Sequence, residues 1–242
     1  MIEADLEEKL TKKEETLIKK MAEAGVHFGH KKSRKNPKMD PYIHILRSNI
    51  YIIDLVASAK KLEEALNFIK ETVKKGGVIL FVGIQPQAKK LTQEVAEECN
   101  MPYVVERWLG GTLTNFKTIH KRIEYLRDLE KKKKAKELEK YTKKEQMLFD
   151  QEIEKLNRNL GGIKNLDKLP DAVLVLSINK NPAVIREAQR KKIPLIGLAD
   201  TDSDPILADY PIPSNDDAVS ALKFMLDKIA EAILKQKTKD KK

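Results

Sequence analysis

The 242-residue chain carries 47 Lys and Arg against 37 Asp and Glu, a formal net charge of +10 and a pI near 9.4, a balance that favours a polyanionic partner. Its single cysteine, Cys99, excludes an internal disulfide framework and a cysteine-rich zinc site, and fits a reducing, cytoplasmic compartment. The longest purely apolar runs, Val78 to Val82 and Ala172 to Leu176, fall far short of the roughly 20 residues that a membrane helix needs, so no membrane association is expected.

Residues 1–20 mix both charge signs at close spacing, unlike the basic start and apolar run of a signal peptide; they are expected to form a charged helix with no role in export. The next segment, HKKSRKNPKMDPYIHILR, is the densest basic stretch, and Pro37 and Pro41 argue against helix there. Lys31, Lys32, Arg34, Lys35, Lys38 and Arg47 face only Asp40. Cations on an extended prolyl loop near Tyr42 and His44 suit a phosphate backbone with unstacked bases.

The runs at 50–53, 78–82, 103–105, 172–176 and 194–198 are short and dominated by β-branched and aliphatic residues, as buried strands are. Between them Leu62, Leu66, Ile69 and Val73 keep helical spacing up to a Lys-Lys-Gly-Gly stop. Asn181 and Pro182 open another helix that closes before Pro194, and Ser214 with Asp217 is expected to cap a terminal helix over Ala218 to Leu234. Strand and helix in alternation predict an α/β fold, a mostly parallel sheet with helices on both faces, over residues 21–113 and 160–235.

Residues 114–159 break that alternation. Phe116, Ile119, Ile123 and Leu126, then Phe149, Ile153, Leu156 and Leu160, keep three-and-four spacing over two stretches, so an inserted, coiled-coil-like helical hairpin is expected there. Thr142 and Glu145 form a capping box that starts its second helix, and Gly161-Gly162 returns the chain to the sheet. Residues 236–242 are polar and are expected to fray as a basic tail.

Several strings admit site chemistry. Arg107, Trp108 and Lys117 flank the Gly110-Gly111 turn; the arginine suits a phosphate, and the lone tryptophan suits either a base or a packing role. Asp200, Asp202 and Asp204 alternate like a calcium loop, but Pro205 and Pro211 stand where an EF-hand needs Gly and Glu. Asp200 and Asp204 with His27 would hold Zn²⁺ or Mg²⁺ if the fold brought them together; no cofactor is otherwise required. No P-loop, three-glycine dinucleotide fingerprint or nucleophilic triad is present, so neither catalysis nor a small-molecule substrate is expected. The competing class is a cytosolic α/β enzyme or receiver with Asp54, Asp200 and Asp204 around a divalent cation.

AGVHFGH at 24–30, NPKM at 36–39, IYIIDL at 50–55, ILFVG at 79–83, RWLGGTLTNFKTI at 107–119, NLGGIK at 159–164, LPDA at 169–172, DTDSDP at 200–205 and NDDA at 215–218 together resemble, in order and spacing, the bacterial form of the small-subunit ribosomal protein S2 family. The resemblance runs from about residue 17 to 230. It implies a flavodoxin-like sheet with an α-hairpin inserted after the third strand, and a structural, non-catalytic role in translation. It further implies binding to small-subunit rRNA, with proteins S1 and S3 as neighbours. Lys35 stands where that family often has tryptophan before NPKM, and GIQPQAKK and SINKNPAVIREA also depart from its pattern.

Overall fold

The computed structural model describes residues 12–239. The chain runs α1 (Lys12–Glu23), β1 (Phe28–Lys31), β2 (Ile43–Arg47), β3 (Ile50–Ile53), α2 (Leu55–Lys74), β4 (Ile79–Val82), α3 (Pro86–Glu98) and β5 (Tyr103–Val104). It continues through α4 (Phe116–Lys134), α5 (Lys143–Leu160), β6 (Ala172–Val175), α6 (Pro182–Lys191), β7 (Leu195–Ala199), β8 (Tyr210–Pro213) and α7 (Val219–Lys239), with short 3-10 turns between some of them. Among the described residues no helix is long and apolar enough to cross a membrane.

Strands β4 to β8 form one sheet in the order β5-β4-β6-β7-β8, with every pair parallel. Counted along the chain this is 2-1-3-4-5, the flavodoxin-like order. Because side chains alternate across a strand, each strand feeds two cores. Ile79, Phe81, Leu174, Ile196 and Leu198 pack with Leu62, Ile69, Val95, Leu222 and Ile229 from α2, α3 and α7. Leu80, Val82, Val173, Val175 and Leu195 pack on the other side with Val184 and Ile185 of α6 and with Ile119, Ile123 and Leu160 of the hairpin. Every residue of β4 and β6 is buried, which is why these runs show no polar alternation.

The structure departs from the sequence reading at several elements. Ile50–Ile53 is a strand, but it is the centre of a separate antiparallel sheet, β1-β3-β2. Ser48 and Asn49 both have positive φ, +48° and +64°, and a two-residue turn of that kind joins antiparallel neighbours. β8, which no apolar run announces, carries Pro211 and Pro213 and lies at the edge of the sheet, where proline is tolerated. The basic loop is not simply extended: Lys32–Arg34 and Pro37–Tyr42 are 3-10 turns, the second started by Asn36 and Pro37 and pinned by the fully buried Met39.

Ser214 does not cap α7; Asn215 Oδ1 instead accepts from the backbone N–H of Asp217 and Ala218. That helix runs to Lys239, four residues into the expected tail, while residues 240–242 lie outside the described residues. Of the expected N-terminal charged helix, Lys12 onward is helical as α1, and residues 1–11 also lie outside the described residues.

The hairpin is as expected in outline, with both halves of the Thr142/Glu145 capping box formed. Its attachment is deeper than an appended domain requires. Ile123, Leu126 and Leu160 are at most 1% exposed and belong to the same cluster as the sheet residues. The return is tight as well: a Cβ on Gly162 would come within 2.2 Å of the Tyr103 carbonyl oxygen, so only glycine lets the chain pass β5. Replacing Ile123 by Ala is therefore expected to cost about 2–5 kcal/mol of global stability, whereas Met147→Ala on the exposed face of α5 should stay within about 0.5 kcal/mol. Urea unfolding of both variants checks this. Equal, small effects would make the hairpin a separable appendage.

Candidate functional site

The loop that follows β5 is held by one carboxylate. Glu187, on α6, accepts through Oε1 from Trp108 Nε1 (3.0 Å) and the Gly111 N–H (2.8 Å). Through Oε2 it accepts from the N–H groups of Leu113 and Thr114 and from the Thr114 hydroxyl, each at 3.0 Å. Burial alone would push this carboxyl up, but the bonds from Thr114, Trp108, Gly111 and Leu113 hold it below the usual range. Gly111 supplies the φ of +91° that lets successive N–H groups converge. Trp108 is 9% exposed within the second core. Of the two roles open to Trp108, a base-stacking or a packing one, the structure shows packing: the ring is buried and its N–H donates to Glu187. Sequence reading passed over Glu187, which sits in an ordinary helical string.

With Trp108 turned inward, its neighbour Arg107 is exposed, at the mouth of a cleft of about 410 Å³ between this loop and the root of the hairpin. Arg107, Arg122, Lys155 and Arg158 line it over a floor that includes Leu109, Leu156 and Leu160. Glu106, the one acid in the lining, is paired with Lys89 at 3.0 Å. None of the four cations has an ion pair among the described residues. Arg122, Lys155 and Arg158 were not singled out from sequence, because each looks like an ordinary solvated helix position until α4 and α5 are brought side by side. Lys117, expected at this surface, is exposed on the first turn of α4, outside the cleft lining.

The basic loop divides into two sets. Lys31, Lys32, Arg34 and Arg47 are exposed and free of ion pairs among the described residues. Lys35 instead pairs with Asp40 and lies over the Tyr51 ring, and Lys38 pairs with Asp204 at 2.5 Å. Each is thus partly neutralised by a carboxylate, and a cation held in this way displaces fewer counterions from a phosphate.

The carboxyl edge of the parallel sheet carries the acidic residues. The expected trio of His27, Asp200 and Asp204 does not assemble there. Asp204 caps the Pro205–Leu207 turn and holds Lys38, while the His27 ring lies against Phe28 and its imidazole pKa is pushed down by burial. Asp54 is equally accounted for: it caps α2 by accepting from the N–H groups of Val56 and Ala57. The histidine that does reach the edge is His30. Its Nδ1 is 3.1 Å from Asp200 Oδ1 and its Nε2 is 3.4 Å from Asp217 Oδ2. The approach depends on Gly29, where a Cβ would come 2.4 Å from Thr201 Cγ2; the Thr201 hydroxyl then accepts the His30 N–H at 2.8 Å. The bond to Asp200 raises the His30 pKa to about 9, against the opposing effect of burial.

A family model described as Ribosomal protein S2 matches residues 21–236, nearly the whole chain.

The His30 pairing carries a pH dependence. A histidine whose folded pKa is raised from 6.5 to about 9 contributes stability that is complete below about pH 6.5 and is lost as the pH rises through about 9. In metal-free buffer, His30→Gln should therefore destabilise the protein markedly at pH 6, by at most on the order of 3 kcal/mol, and much less at pH 10. Urea midpoints of both proteins at the two pH values measure this. A difference that does not shrink with rising pH would show that the ion pair contributes nothing.

Proposed function

Because the chain belongs to the ribosomal protein S2 family, and so is a structural protein of the small ribosomal subunit, we propose that it grips small-subunit rRNA by phosphate contacts at two surfaces. One is the cleft of Arg107, Arg122, Lys155 and Arg158; the other is the exposed set Lys31, Lys32, Arg34 and Arg47. The observation that carries this reading is the cleft. Four exposed cations with no ion pairs among the described residues line one concave surface, where their summed field favours a bound anion.

Arginine predominates there, and its planar fork suits phosphate oxygens. Contacts of this type fix placement rather than read sequence, which is the task of a protein that holds RNA domains in position. Proteins S1 and S3, expected as neighbours from the resemblance, remain part of the proposal. A catalytic reading has less support: Asp54 is committed to a helix cap and Asp204 to a turn and Lys38, which breaks up the carboxylate set it relied on.

Filter binding of the full chain to small-subunit rRNA across a salt series tests the proposal. Each neutralised phosphate adds roughly 0.7–0.9 to the slope of log affinity against log salt. Replacing Arg107, Arg122 and Arg158 together by Ala should flatten that slope by about two units, while Lys35→Ala with Lys38→Ala should change it by less than about one. An unchanged slope in the triple variant, with its unfolding transition intact, overturns the cleft as an RNA surface.

A further inference from the structure

A cleft that held only phosphate would gain from polar walls throughout, yet the floor of the arginine cleft is apolar. Leu109 and Leu156 are half-buried there and Leu160 is buried. A phosphate pressed against leucine gives up hydration and gains no hydrogen bond in return. A nucleobase has the complementary shape, with flat apolar faces and polar edges. The volume of about 410 Å³ falls in the range of about 300–1,000 Å³ found for pockets that enclose a small ligand. Asn159 also lines the cleft; its Nδ2 donates to the Lys155 carbonyl at 3.0 Å, while its Oδ1 accepts from no donor among the described residues and is left for a base edge.

The face of the hairpin that carries the cleft continues outward to an aromatic ring. In an antiparallel helix pair, three residues forward on one helix and three back on the other stay on one face. From Arg122 and Lys155, in the cleft, that step reaches Tyr125 and Glu152, and the Tyr125 hydroxyl does donate to Glu152 Oε2, at 3.4 Å. Tyr125 is 43% exposed. No other aromatic ring packs on it among the described residues.

We propose that the cleft takes one unpaired RNA nucleotide, its base on Leu109, Leu156 and Leu160 and its flanking phosphates on Arg107, Arg122, Lys155 and Arg158, with Tyr125 stacking the adjacent base. This rests on the reading of the cleft as an RNA surface and narrows it from any phosphate backbone to a single-stranded or looped-out segment. The bases of an A-form duplex are stacked inward, so its exterior offers such a concavity mainly phosphate and ribose. A splayed strand offers both parts at once. Stacking is tolerant of sequence because every base has a π-face, so the cleft selects the state of the RNA rather than its bases.

Filter binding of the full chain to three probes tests this: a single-stranded RNA of about twelve nucleotides without self-complementarity, an abasic strand of the same length, and the first strand paired with its complement. The abasic strand keeps the phosphates and lacks the bases. The intact single strand should bind at least about tenfold more tightly than the abasic one. Tyr125→Ala should weaken the single strand at least about fivefold, leave the abasic strand and the duplex unchanged, and leave the slope of log affinity against log salt unchanged, since no charge is removed. Tyr125→Phe, which keeps the ring, should bind like the original protein. Equal affinity for intact and abasic strands, a Tyr125→Ala variant that binds the single strand normally or weakens the duplex equally, or a Tyr125→Phe variant as weak as Tyr125→Ala overturns the proposal. These failures are separable from that of the RNA surface itself, which is read by the salt slope of the triple arginine variant.

Discussion

A parallel sheet must be covered on both faces, since neither face can alternate polar residues toward water. In this chain that requirement is met unequally. The long helices α2 and α7, together with α3, cover one face, whereas the regular cover on the other is α6, 10 residues long. The remaining apolar surface of β4, β5 and β6 falls to Ile119, Ile123, Leu160 and Ile163. The hairpin is thus half core and half protrusion. Its placement against the sheet also creates the crevice between its root and the preceding loop, so the requirement that completes the fold positions the arginines.

How much of this could be read from the chain depends on how local the cause is. The central strands were readable because two-sided burial leaves short, purely apolar runs, and the hairpin because its capping box and heptad-like spacing are local. The small sheet was not, since IYII looks the same whether its partners are parallel or antiparallel; the deciding signal was the Ser48-Asn49 turn. β8 is hidden by prolines that only an edge position tolerates. At the basic surfaces the residue types were recognised, but Lys35 and Lys38 are answered by acids, one of them 166 residues away. Trp108 offered two readings, and its partner, 79 residues on, decided between them. His30 and Asp217 lie at opposite ends of the described chain, and no spacing rule links them.

One acidic cluster lies apart from the arginine cleft: Asp200, Asp202, Asp216 and Asp217 gather where the sheet strands end, while Arg107, Arg122, Lys155 and Arg158 line the cleft beside the hairpin. An acidic cluster on the same surface as the arginines would weaken the positive field of the cleft.

The reach of Glu187 bears on the order in which the molecule is built. The donors it collects, from Trp108 to Thr114, are synthesised 73 to 79 residues before it. At about 5–20 residues per second, the loop waits several seconds for its anchor, and the whole hairpin is made during that delay. Four backbone and indole N–H groups therefore stay solvated until α6 docks, and Arg107 has no fixed direction before then. The arginine cleft therefore cannot be completed in a nascent chain until α6 has been made, by which point β4, β5 and β6 already exist to support it.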